Sequence, residues 1–303
     1  MKPNHIKYYS KLLLFGEYTV GMGGSALAVP NLKFYGQWML EPSNQQKEGL
    51  VKLLSHIRSQ PTLAILLDIS GFEAAICEGW YFQSNIPLGY GLGSSGALVA
   101  AVMDCFGSKL SFDTRTSAEL IGLKNTLANM ECAFHGVSSG IDPLVSYLNK
   151  GVHIIDKSDL VLLEKPIDLI HFFLIDSKIS RSTTPLVGAY NSVYHNDQQF
   201  HDVQNQIAYL NQLAIAQLIS RDLDQVWQSF NQISALQYES YTNTKSCGQI
   251  TDFIKPIWEA SLTDTTYAIK LCGAGGGGVF LGMALNVDDF LAKHPHLTIH
   301  RLG

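Results

Sequence analysis

Apolar residues recur along this chain at two intervals, and the changes of interval mark out its elements. Residues 6–15 alternate weakly and close on Leu12-Leu13-Leu14-Phe15, a strand that runs into Gly16-Glu17. Residues 18–24 are glycine-rich and predict a turn. Ala26 to Val29 and Phe34 to Met39 predict two strands, bounded by Pro30-Asn31 and Glu41-Pro42. Leu50, Leu53, Leu54 and Ile57 stand at helical spacing over residues 47–58. Residues 62–77 satisfy both patterns: Leu66, Ile69, Phe72 and Ile76 fit a helix, while Leu63 to Leu67 suit a buried strand. Gly79 to Phe82 predicts a strand leading to Asn85-Ile86-Pro87.

Farther on, residues 97–106 predict a buried helix, and caps between Asp113 and Thr116 open a second helix over 117–133. Gly136 to Gly140 breaks that helix, and Ile141 to Leu148 starts another. Strands are expected at 152–155 and 169–175, long helices through 185–220, 222–236 and 252–262, strands at 267–271 and 279–283, a helix at 287–293 and a last strand at 297–302. Strands dominate the first third and mix with helices later, which predicts an α+β fold. The apolar pattern is interrupted at residues 157–168, the expected boundary between two halves.

The stretch Pro87-Leu88-Gly89-Tyr90-Gly91-Leu92-Gly93-Ser94-Ser95-Gly96-Ala97 joins a strand to a buried helix. A glycine loop feeding a helix N-terminus presents unpaired N–H groups and the positive end of the helix dipole to an anion. Gly91, Gly93 and Gly96 spell a dinucleotide fingerprint, but the acidic residue it needs falls at Asp113, in a loop. A P-loop is excluded because no Lys-Ser/Thr pair follows. Four glycines and two adjacent serines in residues 89–96 exceed the needs of a simple turn and predict a phosphate cradle of another type.

Composition narrows the class. The 303 residues are 46% hydrophobic and 16% charged, enough for a large core, and the length suits two lobes. A formal net charge of -5 with no basic run excludes general nucleic-acid binding. Cys77, Cys105, Cys132, Cys247 and Cys272 form no C-x-x-C, so neither a disulfide framework nor zinc is indicated, and free buried thiols are expected. No apolar stretch approaches membrane-spanning length and no signal-peptide pattern opens the chain, so a soluble cytoplasmic protein is expected.

Three further stretches carry chemistry. Lys11 leads an apolar strand into Gly16-Glu17-Tyr18. Glu131 and Asp142 flank the glycine break, Glu131 where a helix end disfavours negative charge and Asp142 where a cap would equally fit. Asp176 to Thr183 gathers Lys178, Arg181 and several hydroxyls past a buried strand, and Lys270-Leu271-Cys272-Gly273-Ala274-Gly275-Gly276-Gly277-Gly278 holds more glycine than a hairpin needs.

In this order the stretches resemble the motifs of the GHMP kinases, the superfamily of galactokinase, homoserine kinase, mevalonate kinase and phosphomevalonate kinase. Glu-x-x-x-His-Gly-x-x-Ser-Gly-x-Asp at 131–142 and the Arg-Ser-Thr at 181–183 are most similar to its mevalonate kinase branch. The resemblance implies a two-lobed fold: a lobe like ribosomal protein S5 domain 2 over residues 1–163 and a ferredoxin-like lobe over 164–303. It implies ATP as co-substrate, with Gly89, Gly91, Leu92, Gly93, Ser94, Ser95 and Gly96 around the phosphates and Mg²⁺ on Ser95 and Glu131. Asp142 and Lys11 become the catalytic residues, and Glu17, Tyr18, Thr183 and Gly275 line the acceptor site. The implied acceptor is mevalonate or a related hydroxy acid, in a monomer or homodimer with no nucleic-acid or membrane partner. The branch usually carries Gly-Glu-His where this chain has Gly-Glu-Tyr18, a form also seen in phosphomevalonate kinases. A phosphomevalonate kinase and a catalytically silent sensor are the alternatives.

Overall fold

The structure is a computed structural model that describes residues 3, 5–41, 47–107, 116–243 and 248–303. Its first sheet holds β1 (Lys7–Phe15), β2 (Ala26–Leu40), β3 (Trp80–Ser84), β4 (Val152–Asp156) and β5 (Asp159–Leu162). The long β2 pairs antiparallel with β1 along one edge and with β4, then β3, along the other; β5 closes the outer side of β4. The two strands expected on either side of Pro30 are therefore one. The register slips between Tyr9↔Tyr35 and Ser10↔Asn31, so residues 32–34 bulge out and take up the break without ending the strand.

Among the described residues, six α-helices accompany this sheet: α1 (Glu48–Ser59), α2 (Pro61–Leu66), α3 (Ile69–Glu78), α4 (Ser94–Phe106), α5 (Ser117–His135) and α6 (Ile141–Leu148). The ambiguous 62–77 segment resolves as helix, divided at Asp68, whose carboxylate accepts the Gly71 N–H and caps α3. Thr116 and Glu119 form a reciprocal capping box on α5, as the sequence led one to expect of this region; the expected contribution of Asp113 lies outside the described residues. The glycine-rich 18–24 turn contains a short 3₁₀ helix at Thr19–Met22.

The second sheet, ordered β7-β8-β6-β9, holds β6 (Phe172–Asp176), β7 (Tyr267–Leu271), β8 (Val279–Ala284) and β9 (Thr298–Arg301). Helices α7 (Thr183–Asn196), α8 (Gln198–Ser220), α9 (Leu223–Asn243), α10 (Lys255–Ser261) and α11 (Val287–Lys293) complete this half. Asp197 caps α8 and so divides the helical run expected from 185 to 220. Strand β5 lies inside the 157–168 stretch read as a break. It forms a hairpin with β4, turned where Asp156 accepts the Ser158 N–H.

Strand β6 is buried on both faces, which is why it reads as an unbroken apolar run. Phe172 and Leu174 join a core shared with Leu12, Ala28, Val99 and Leu144 of the first half. Phe173 and Ile175, on the opposite face by the strand's period of two, join a second core with Trp258 and Phe280. Of the thiols, Cys105 and Cys272 are buried as expected, but Cys77 is exposed and Cys132 half-buried; Cys247 lies outside the described residues.

Candidate active site

Strand β1 delivers Lys11 to the middle of the molecule. Its backbone N–H donates to Leu92 O at 3.1 Å, fastening the glycine loop to the strand. That loop ends at Gly93, the N-cap of α4, in a left-handed conformation with φ +76°. A side chain there would be strained, and its Cβ would meet the Asp142 side chain at 3.0 Å. At Gly96 a Cβ would lie 2.8 Å from the backbone of Asp142 and Pro143. Glycine lets the first turn of α4 rest directly on the first turn of α6, so the N-termini of two helices converge.

At this convergence Lys11 Nζ lies 2.9 Å from Asp142 Oδ1. Asp142 does not act as the cap that its position allowed: the N-cap of α6 is Gly140, and no side chain makes a cap hydrogen bond there. Burial pulls the Lys11 pKa down, but the charge and hydrogen bond of Asp142 more than offset it and leave it raised. Glu131, in the last turns of α5, is 5% exposed. Its Oε1 accepts from Ser95 Oγ at 2.7 Å and its Oε2 from Ser138 Oγ at 2.5 Å. Burial, then the Asp142 charge, pushes its pKa up to about 7. His135 Nε2 lies 2.9 Å from the same Ser95 hydroxyl, a contact not anticipated from the sequence.

The opposite wall comes from the second half. Ser177 N–H donates to Gly278 O, Gly278 N–H to Ile179 O, and Arg181 N–H to Gly89 O. These bonds bind the 177–181 segment to both glycine loops. The Arg181 Nη1 donates to Thr183 Oγ1 at 3.0 Å. Its Nη2 lies 2.4 Å from where a Cβ of Gly91 would stand and 3.1 Å from that of Gly273. The guanidinium therefore sits between the loops, its Nε buried without a hydrogen-bond partner. Sequence reading named Arg181 only within a motif; what marks it is a contact across the fold that no local pattern encodes.

Glu17 and Tyr18 are placed differently from each other. Glu17 is buried, its Oε1 2.5 Å from Lys270 Nζ, with both side chains fully enclosed. Tyr18 adopts φ +60°, donates its hydroxyl to Ala274 O at 2.6 Å and accepts from Gln249 Nε2 at 3.1 Å. Its ring stacks on Tyr190 with centroids 4.1 Å apart. Gly275 packs against Gln249, whose carbonyl would lie 2.7 Å from an added Cβ. The structure thus brings Lys11, Asp142, Glu131, Ser95 and the loop at 89–96 together. Thr183 reaches the cleft through Arg181, and Glu17 faces Lys270.

One carboxylate and one hydroxyl beside a helix N-terminus are the donors that Mg²⁺ takes when nucleotide phosphates and water complete its shell. The elevated pKa of Glu131 marks a position that positive charge would stabilise. Among the described residues no group of three or more His, Cys, Asp or Glu gathers as a metal cage.

Two helix N-termini, a glycine loop and an ion pair meet at one point. Residues 50–150 match the GHMP kinases N terminal domain. Over 91% of the chain and 87% of the relative, it is 26% identical to a mevalonate kinase of Thermococcus sibiricus. Its fold matches that of L. major mevalonate kinase in complex with R-mevalonate, with a TM-score of 0.66 and 17% identity over 99% of this chain and 96% of that one. It also matches Streptococcus pneumoniae phosphomevalonate kinase in complex with phosphomevalonate and AMPPNP, with a TM-score of 0.66 and 15% identity over 99% and 98%.

Proposed function

We propose that this protein is a mevalonate kinase, transferring the γ-phosphoryl group of ATP to the mevalonate hydroxyl. The observation that carries the reading is the Lys11–Asp142 pair, 2.9 Å apart, at the joined N-termini of α4 and α6. Backbone N–H groups of residues 89–96 hold the phosphates. Phosphoryl transfer asks mainly for positioning and charge neutralisation. Asp142 orients the acceptor hydroxyl and takes up its proton as the oxygen–phosphorus bond forms and the bond to ADP breaks. The Lys11 ammonium favours the developing negative charge on that oxygen. Ser95 and Glu131 hold Mg²⁺, which when bound neutralises phosphate charge.

On the acceptor side, Tyr18, Thr183 and Gly275 line the pocket, and Glu17 supports it from behind through Lys270. Arg181 supplies a cation to the acceptor's carboxylate. Among the described residues the lysines and arginine gathered here are Lys11, already opposite Asp142, Lys270, opposite Glu17, Lys178, paired with Asp176 at 3.1 Å, and Arg181. One unmatched guanidinium suits a monocarboxylate better than a phosphorylated acceptor, which favours mevalonate over phosphomevalonate. The reading keeps two lobes divided at residues 163 and 164. Among the described residues no helix is long and apolar enough to cross a membrane; the proposal places the enzyme in the cytoplasm with small polar substrates.

A coupled assay with ATP and Mg²⁺, run against mevalonate, phosphomevalonate, galactose and homoserine, tests the proposal. ADP release with mevalonate is expected. Release with phosphomevalonate alone would reassign the acceptor, and release with none of the four would refute the kinase reading.

A further inference from the structure

A cavity of about 410 Å³ opens away from the phosphate loop, between β2, the end of α6 and the 163–169 segment. The volume falls in the range of small-molecule sites. Its wall is largely apolar, with Val29, Leu163, Ile167 and Leu169 among the lining residues. Polar groups are few. Asn31 is 2% exposed; its Oδ1 accepts the Lys33 N–H, and its Nδ2 makes no hydrogen bond. A buried amide donor left unpaired costs free energy that a ligand acceptor would recover. Lys150 and Lys165 stand exposed at the mouth, with Glu164 as the one carboxylate lining the cavity.

We propose that this cavity binds a small amphipathic anion, its alkyl body among the apolar side chains and its carboxylate or phosphate between Asn31 and the two lysines. Two connections lead from the cavity to the site described above. Pro30 and Asn31 lie directly opposite Lys11 and Ser10 in the β1–β2 ladder. Helix α6 carries Asp142 in its first turn, and Asn149 to Gly151, just past its end, form part of the cavity wall. A ligand here touches β2, the ladder partner of the strand that carries Lys11, and the chain just past the helix that carries Asp142, so its binding alters turnover. The binding claim is independent of the reaction; the effect on turnover rests on the kinase reading.

Calorimetric titration of the whole protein with hexyl, octyl and decyl phosphate tests the binding without any need for activity. Affinity should rise by roughly fourfold per added methylene until the cavity is full. Octanol and inorganic phosphate, each carrying half of the chemistry, should bind at least about tenfold more weakly than octyl phosphate. Ile167→Trp fills the cavity and should abolish binding while leaving ATP turnover intact. Lys165→Glu, an exposed change that spares the fold, should weaken octyl phosphate and not octanol. Absence of octyl phosphate binding, or binding unchanged in both variants, overturns the proposal. Displacement of octyl phosphate by ATP also overturns it, by placing the anion in the phosphate loop. Binding that leaves kcat and KM unmoved in an active enzyme overturns the coupling.

Discussion

Asp142 Oδ1 lies 2.9 Å from Lys11 Nζ, and this contact joins β1, an edge strand of the first sheet, to α6, the helix packed against α4. A carboxylate at a helix start is commonly a cap; here it has turned to a buried lysine instead, which separates its structural and chemical roles.

Asp142→Asn keeps the size and removes the charge. With no cap bond to lose, the helix should survive, while kcat falls by roughly a hundredfold or more and the Kd for ATP stays close to that of the parent. The change also reports on Lys11. Its pKa is raised from 10.5, so the stability contributed by the pair is present below 10.5 and lost as pH rises through the higher folded value. In Asp142→Asn burial remains without that offset, so the alkaline loss of Tm linked to Lys11 should shrink or reverse. Full activity per folded molecule would show that Asp142 plays no part in the reaction.

Glu131 should make metal binding pH-dependent. Its pKa rises from 4.5 to about 7, so in the absence of metal the folded state holds a proton that the unfolded state releases. Stability therefore falls as pH rises from 4.5 to about 7, by roughly 3 kcal/mol at most, and cation binding opposes that loss. Melting curves across this range should slope downward without Mg²⁺, and Glu131→Gln should flatten them. Mg²⁺ titrated near neutral pH should release a proton in the parent protein and none in the variant.

Tyr18→Phe removes a hydroxyl that donates to Ala274 O and accepts from Gln249, but preserves the stacking on Tyr190. A stability loss of about 1 kcal/mol is expected from urea denaturation. If the 273–278 loop lines the acceptor pocket as proposed, KM for the acceptor should increase and KM for ATP should not. Equal effects on both would place Tyr18 outside the acceptor pocket.

The Glu17–Lys270 pair offers a contrast between breaking and replacing a buried ion pair. Lys270→Met leaves Glu17 enclosed without its partner and should cost about 3–5 kcal/mol. Glu17→Leu combined with Lys270→Met removes both charges among Phe15 and Phe230, which the lysine already overlies. The double variant should recover most of the loss in a denaturant titration. If the single and double variants are equally unstable, the pair's packing matters and its charge does not.

Much of this arrangement was legible in the sequence because local rules enforce it. The glycines at 89, 91 and 93 announced a loop that meets a helix, and the 287–293 helix ends where its pattern ends. What escaped were features settled by distant partners. Pro30 reads as a strand break until the bulge opposite Tyr9 and Ser10 absorbs it. Asp159–Leu162 is too short and too polar in context to declare itself, and becomes a strand because β4 offers an edge. Glu17 resembles a residue facing a ligand, yet Lys270, its partner, lies 253 positions away. Arg181 gains its significance from glycines in two other segments.

The core that Phe172 and Leu174 share with Leu12 and Leu144 has a mechanical consequence. A chain severed between residues 163 and 164 would expose opposite faces of that common interior to water, so neither fragment would stand alone as a folded unit. The sheets cannot part like two halves of a shell without the same exposure. Local opening then falls to latches such as the bond from Arg181 N–H to the exposed Gly89, which can part without that cost, whereas Ser177 and Gly278 are themselves buried. Amide exchange should therefore distinguish quickly opening latches from a slow, undivided body.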